Sequence, residues 1–271
     1  MAEAKTINVI YPKDGWILQR MAEAIITKIP NAFGVDTRSP ELDEITNLPD
    51  RVNYFINYNL FQKKSQNPDL AWFTHLEEGD VSLSNHFRWA MENVDFAIFH
   101  SLKYANSCAL PTSKKAVIHP GVDSAIVSDK LVLGVVGRQY TNTPRKNPEL
   151  MRKVGLLDFV DLKFTDGQLT SGQLAHFYRF IDYVFTPSLI EGGPMSLIEG
   201  LAAGKQSIFP IGVGSWEEFK DSVISYDPQN FEDLERILRD LHKQKLTLVE
   251  RVSHCTWDDF ARKHKEIFST F

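Results

Sequence analysis

Apolar and polar positions along the chain fall into two alternating series. In the first, short runs rich in β-branched and aromatic residues recur as INVIYP (7–12), FGVDT (33–37), VNYFINY (52–58), AWFTH (71–75), FAIFHS (96–101) and AVIHP (116–120). Residues 16–29 carry helical periodicity, and HFRWAMENVDFAIFHS (86–101) reads as helix and then strand. The second series runs LVLGVVG (131–137), a helix over about 147–157, VDLKFTD (160–166), a helix over 171–180, YVFTPS (183–188), a helix after Pro194, QSIFPIG (206–212) and SVISYDP (222–228). Apolar strands alternating with helices predict parallel sheets covered on both faces. The segment FEDLERILRDLHKQKLTLVERV (231–252) predicts one long helix, and Thr256 before two aspartates predicts the cap of another.

Between the series lies GVDSAIVSDK (121–130), small, polar and without periodicity, which reads as a hinge. A boundary near residue 125 divides the chain into two Rossmann-like domains, 1–124 and 125–255. Ligands of open α/β sheets sit outside the carboxyl ends of the strands, so facing domains would bind in the cleft between them.

Composition narrows the partners. The 271 residues are 43% hydrophobic and 24% charged, with a net charge of -5 and no basic block, which gives no support to nucleic-acid binding. Cys108 and Cys255 lack metal-ligand spacing and are expected to be reduced. The amino-terminal stretch MAEAKTINVIYP has no signal character, and no apolar run approaches the roughly 18 to 20 residues of a membrane span, so a cytoplasmic protein is expected.

Candidate chemistry concentrates in SLIEGGPMSLIEGLAAGK (188–205). Tyr183 to Ser188 predicts a buried strand, followed by a turn through Glu191, Gly192 and Gly193. Pro194 suits the first position of a helix, whose free N–H groups and positive dipole end form an anion site. Gly200, Ala202 and Ala203 are expected to keep that helix slim against the sheet, and Gly204 to close it. A plainer reading remains open, in which a capped helix packs on the sheet and both glutamates are solvated. A glycosidase pair needs carboxylates about 5 to 9.5 Å apart. Eight helical residues rise about 12 Å, which is too far unless the turn folds back.

The stretch resembles the glutamate, seven residues, glutamate motif of retaining nucleotide-sugar glycosyltransferases of the GT-B fold, similar to glycosyltransferase family 4. The resemblance implies that Glu191 contacts the donor sugar, that Glu199 binds the ribose hydroxyls, and that the amides around Gly192, Gly193, Pro194, Met195 and Ser196 meet sugar and diphosphate. LGVVGRQYTNTPRKNPEL (133–150) is similar to the family's strand, Gly-Arg, loop, Arg-Lys-Gly segment, which maps Arg138 and Lys146 to the cations that grip the diphosphate. The segment 160–188 resembles the part that frames the nucleobase near Thr165 to Gln168. GVGSWEEF (212–219) looks like a following loop, and a simple turn with a helix cap describes it equally well. VIHPGVD (117–123) is similar to the interdomain segment, and TWDDFARKHKEIF to the last helix, about 256–271, which packs back on the first domain.

The first half is shorter than the family pattern, a compact version with a trimmed amino-terminal domain. KDGWILQRM (13–21) keeps one glycine, Gly15, where a pair is common; it is either a backbone approach to the diphosphate or a plain turn. His75 either lies under the donor sugar, as in relatives, or is structural. The implied activity is transfer of a hexose from a UDP- or GDP-sugar to a saccharide or other hydroxyl acceptor, with retention, no metal and no further cofactor. Two other readings stay open: a noncatalytic GT-B module that binds nucleotide or glycan or partners an active transferase, and a sugar-nucleotide epimerase.

Overall fold

The computed structural model describes residues 5–138 and 144–271. The loop of the Gly-Arg, loop, Arg-Lys segment, 139–143, lies outside the described residues. Two compact units divide the chain: Met1–Ile126 with Ser253–Phe271, and Val127–Val252.

Unit 1 holds a sheet of six parallel strands, β1 (Thr6–Tyr11), β2 (Ala32–Asp36), β3 (Arg51–Phe55), β4 (Asp69–Phe73), β5 (Phe96–Phe99) and β6 (Lys115–Val117), in the order β2-β1-β3-β4-β5-β6. Its crossovers carry helices α1 (Ile17–Lys28), α2 (Leu42–Asn47), α3 (Val81–Asn93) and α4 (Leu102–Ser107). Strands β1, β3 and β4 are almost entirely buried, which is why their sequences are mostly apolar, with Asn8, Asn53 and Asp69 as buried polar exceptions.

Unit 2 holds five parallel strands, β7 (Leu131–Val135), β8 (Val160–Phe164), β9 (Tyr183–Phe185), β10 (Ser207–Pro210) and β11 (Val223–Tyr226), in the order β11-β10-β9-β7-β8. Helices α5 (Pro148–Gly155), α6 (Ser171–Phe180), α7 (Met195–Ala202), α8 (Trp216–Phe219) and α9 (Phe231–Arg251) follow its strands. From β7 the chain moves to one side for β8 and then crosses to the other for β9. The carboxyl ends of β7 and β9 are therefore the switch point at which such sheets open a crevice.

Helix α10 (Trp257–Phe268) belongs to unit 1. Thr256 caps it by accepting from the Asp259 amide at 3.0 Å. Phe260, His264 and Phe268, spaced by four, form its buried face. The His264 ring stacks on Trp72. Because a carbonyl can only accept, His264 Nδ1 donates to Phe260 O at 2.8 Å, which leaves Nε2 to accept from the Tyr54 hydroxyl at 2.9 Å. Full burial pushes this imidazole down to about 4.

Several expected boundaries shift. Strand β9 ends at Phe185, and the run beyond it turns toward the site. Pro194 precedes α7 instead of opening it: its ψ of 121° is extended, so the first helical residue is Met195. Ala202 and Ala203 are exposed, and Gly200 alone of the three small residues is buried. Gly204, at φ 72°, does end α7, with Gly204 N donating to Leu201 O and Lys205 N to Gly200 O. Among the described residues no helix is long and apolar enough to cross a membrane.

Candidate functional site

A cavity of about 380 Å³ opens in unit 2 at this switch point. One wall comes from Val136 and Gly137 after β7 and from Thr165 and Gly167 after β8; the other from Lys146, Glu191 and the start of α7, Gly193 to Ser196, with Glu199 one turn further on.

The β7 turn depends on backbone conformations that glycine permits. Gly137 has φ 107°, and its N–H donates to the buried Thr165 Oγ1 at 3.0 Å. Gly167, at φ 67°, lies where a Cβ would stand 3.5 Å from Arg138 N. The two turns thus pack on each other and form the floor beside Arg138, whose own side chain is exposed and does not line the cavity.

Opposite, the turn after β9 carries Glu191. Its side chain is only 7% exposed and is gripped by two cations: Lys146 Nζ donates to Oε1, and Arg145 Nη2 to Oε2 at 3.1 Å. Arg145 Nε also donates to Ile190 O at 3.0 Å, and Leu189 N to Arg145 O at 2.9 Å, so the two loops are tied together. Burial alone would raise the Glu191 carboxyl, but the hydrogen bonds from Lys146 and Ser188, the Lys146 charge and the Arg145 bond outweigh it. The group is held below the usual carboxylate range. From behind, the 212–219 loop supports this turn: Gly214, at φ 53°, comes so close that a Cβ would lie 3.2 Å from Glu191 O. That loop is a structural backing and does not line the cavity.

Helix α7 projects its amino end into the cavity. Met195 is exposed at the lip, and Ser196 is buried beneath it. Glu199, half-buried, accepts a hydrogen bond from the Tyr178 hydroxyl of α6 at 2.9 Å. Helix α6 is held by a capping box in which Thr170 and Gln173 satisfy each other's amides. Among the described residues no group of three His, Cys, Asp or Glu side chains is arranged to hold a metal.

Of the residues expected from sequence, the fold brings Glu191, Lys146, Glu199, Gly193, Pro194, Met195, Ser196 and Thr165 to one cavity. Gly192 is exposed in the same turn. Gly15 and His75 belong to the other unit. Gly15, at φ 78°, donates its N–H to Gln19 Oε1 at 2.8 Å at the start of α1. His75 lies two residues beyond β4, not within it, and pairs with Glu77 Oε1 at 2.6 Å in an exposed loop.

Sequence reasoning missed Arg145 and Tyr178. The Arg145-Lys146 pair was visible as adjacent cations, and only the folded Glu191 turn shows that both are used. Nothing local marked Tyr178, since its partner is 21 residues away.

No protein-family model matches the chain, and no curated protein matches it. Solved structures are similar to it. The lipopolysaccharide outer core galactosyltransferase WaaB, apo form, is 13% identical, with 98% of this chain and 100% of that one covered and a TM-score of 0.43. HepE of Anabaena, in complex with UDP and glucose, is 11% identical over 98% and 100%, with a TM-score of 0.41. A sucrose-phosphate synthase from Thermosynechococcus elongatus is 15% identical over 98% of each chain, with a TM-score of 0.38. None of these similarities assigns a residue or a substrate to this chain.

Proposed function

We propose that the chain transfers a hexose from a UDP- or GDP-sugar to a saccharide or other hydroxyl acceptor, with retention of anomeric configuration and without a catalytic metal. The observation that carries the reading is the convergence in one switch-point cavity of Lys146, Glu191, the amino end of α7 and Glu199. Its size lies within the range of small-molecule sites.

In this reading the diphosphate lies at the amino end of α7, where free amides and the helix dipole favour an anion. Lys146 and Arg138 supply positive charge. Glu199 accepts from the ribose hydroxyls, Glu191 contacts the sugar, and the turns at Thr165 to Gln168 frame the base. As the bond from the anomeric carbon to the diphosphate breaks, negative charge grows on the terminal phosphate, and fixed cations and amides stabilise it more than they stabilise the bound donor. The acceptor oxygen bonds to the same carbon from the same face, and its proton passes to the departing phosphate oxygen.

Thermal stabilisation by a panel of nucleoside diphosphates and their sugars tests the reading. A ligand at about 100 times its dissociation constant adds about 2.7 kcal/mol. A shift with one base that is lost in Glu199→Ala is expected, followed by transfer to an acceptor. Binding without transfer to acceptors or hydrolysis would favour the noncatalytic module, release of an altered sugar without an acceptor the epimerase, and no shift with any nucleotide would overturn the reading.

A further inference from the structure

We propose that Tyr178 is a positioning residue that holds Glu199 for the ribose hydroxyls of a nucleotide, so that affinity for those hydroxyls is set from α6, behind the cavity wall. The inference rests on the nucleotide reading of this cavity.

Tyr178 is 4% exposed, and it does not line the cavity. Its hydroxyl donates to Glu199 Oε2 at 2.9 Å, while Glu199 itself forms part of the wall. A carboxylate offers two oxygens and about four lone-pair sites. The tyrosine uses one on Oε2, and the remaining sites are free to accept from a ligand. A glutamate side chain with three rotatable bonds otherwise loses that freedom only when the ligand arrives, which weakens binding. Burial, then the hydrogen bond and charge of Glu199, push the Tyr178 hydroxyl well above the ordinary phenol range, so it is a permanent donor.

Two close approaches set the geometry of the pair. Gly134 of β7 lies under α6, where a Cβ would stand 2.5 Å from Ile181 Cδ1 and 2.8 Å from Phe177 Cε1. Gly200 of α7 lies against β9, where a Cβ would stand 2.6 Å from Val184 Cγ2. Helix α6 therefore seats deeply on β7 and α7 on the neighbouring β9, and a side chain of each meets the other at a hydrogen bond. Leu174, one turn before Tyr178 on α6, does line the cavity, so this helix face borders the ligand while Tyr178 stands behind it.

Tyr178→Phe keeps the ring and removes the bond. Dissociation constants are measured by calorimetry for wild type, Tyr178→Phe and Glu199→Ala with UDP, ADP and GDP and with their 2′,3′-dideoxy counterparts. Wild type is expected to prefer the ribose form of the base it binds. Tyr178→Phe should bind that form roughly two- to tenfold more weakly, the cost of ordering one freed glutamate side chain on binding, with dideoxy affinity unchanged and the preference correspondingly narrowed. In Glu199→Ala, adding Tyr178→Phe should change nothing further. The ratio of two affinities on one preparation is independent of its folded fraction, and Tyr178→Met replaces the phenylalanine should that variant not fold. A wild-type preference retained in full by Tyr178→Phe would overturn the role of Tyr178 while leaving the nucleotide reading intact. A wild type that binds no nucleotide, or binds both forms equally, would overturn the nucleotide or ribose reading and the role of Tyr178 with it.

Discussion

Gly200 and Val184 meet so closely that a Cβ on the glycine would stand 2.6 Å from Val184 Cγ2. This approach presses α7 onto β9 and carries both its amino end and Glu199 to the switch point. Gly200→Ala gains about 1 kcal/mol of helix propensity, against roughly 1 to 3 kcal/mol for overpacking a stiff, buried valine. We expect a net loss of about 1 kcal/mol in urea unfolding and weaker nucleotide binding. A raised midpoint with unchanged binding would show that α7 does not depend on this contact.

Glu191 and Lys146 are expected to act as one unit. Glu191→Gln and Lys146→Ala should each lower turnover at least ~10-fold, within the range seen when one stabilising group at a reacting centre is removed. Glu191→Gln also leaves two cations without their carboxylate, at a cost on the order of 1 kcal/mol after allowing for the exposure of Arg145 and the partial exposure of Lys146. Circular dichroism and denaturant melts check that both variants fold. Wild-type turnover in a folded double mutant would sink the assignment.

Acid should loosen unit 1 through His264. Its pKa in the folded state, about 4, lies below the ordinary value of 6.5, so the unfolded chain binds a proton first. Stability from this group is therefore fully present above pH 6.5 and is lost as pH falls toward 4, by roughly 3 kcal/mol in all. In an NMR titration the His264 ring signals should stay those of a neutral imidazole through pH 5. Protonation near 6.5 would contradict the buried Nδ1 and Nε2 arrangement.

Gly137→Ala tests the β7 turn. There is open space for the new methyl group, so the cost is backbone strain at φ 107°, about 1 to 3 kcal/mol. The melting temperature should fall, and so should nucleotide affinity, because the same turn carries Arg138. Unchanged melting would mean that the turn relaxes freely.

Much of the architecture was legible in the chain. Buried parallel strands read as largely apolar runs, periodicity over 171–180 predicted α6, and Thr256 marked α10, because these signals act within a few residues. Pro194 shows the limit of such reading: its fixed φ suits either the first helical position or the one before, and only ψ separates them.

By itself the sequence pointed to two α/β halves with a linker near 125, and to Glu191, Lys146, Glu199 and the glycines before α7 as candidate chemistry. The halves and the linker follow from periodicity and turn residues, which are local, and the site residues from the resemblance of the 188–205 and 133–150 segments to a known motif. Tertiary structure decided the rest: strand order and hence the switch point, the seating of α6 and α7 by Gly134 and Gly200, the double cation grip on Glu191, and the bond from Tyr178 to Glu199. Those features depend on contacts between residues 16 to 50 positions apart, and no local pattern of hydrophobicity specifies which partners such contacts join.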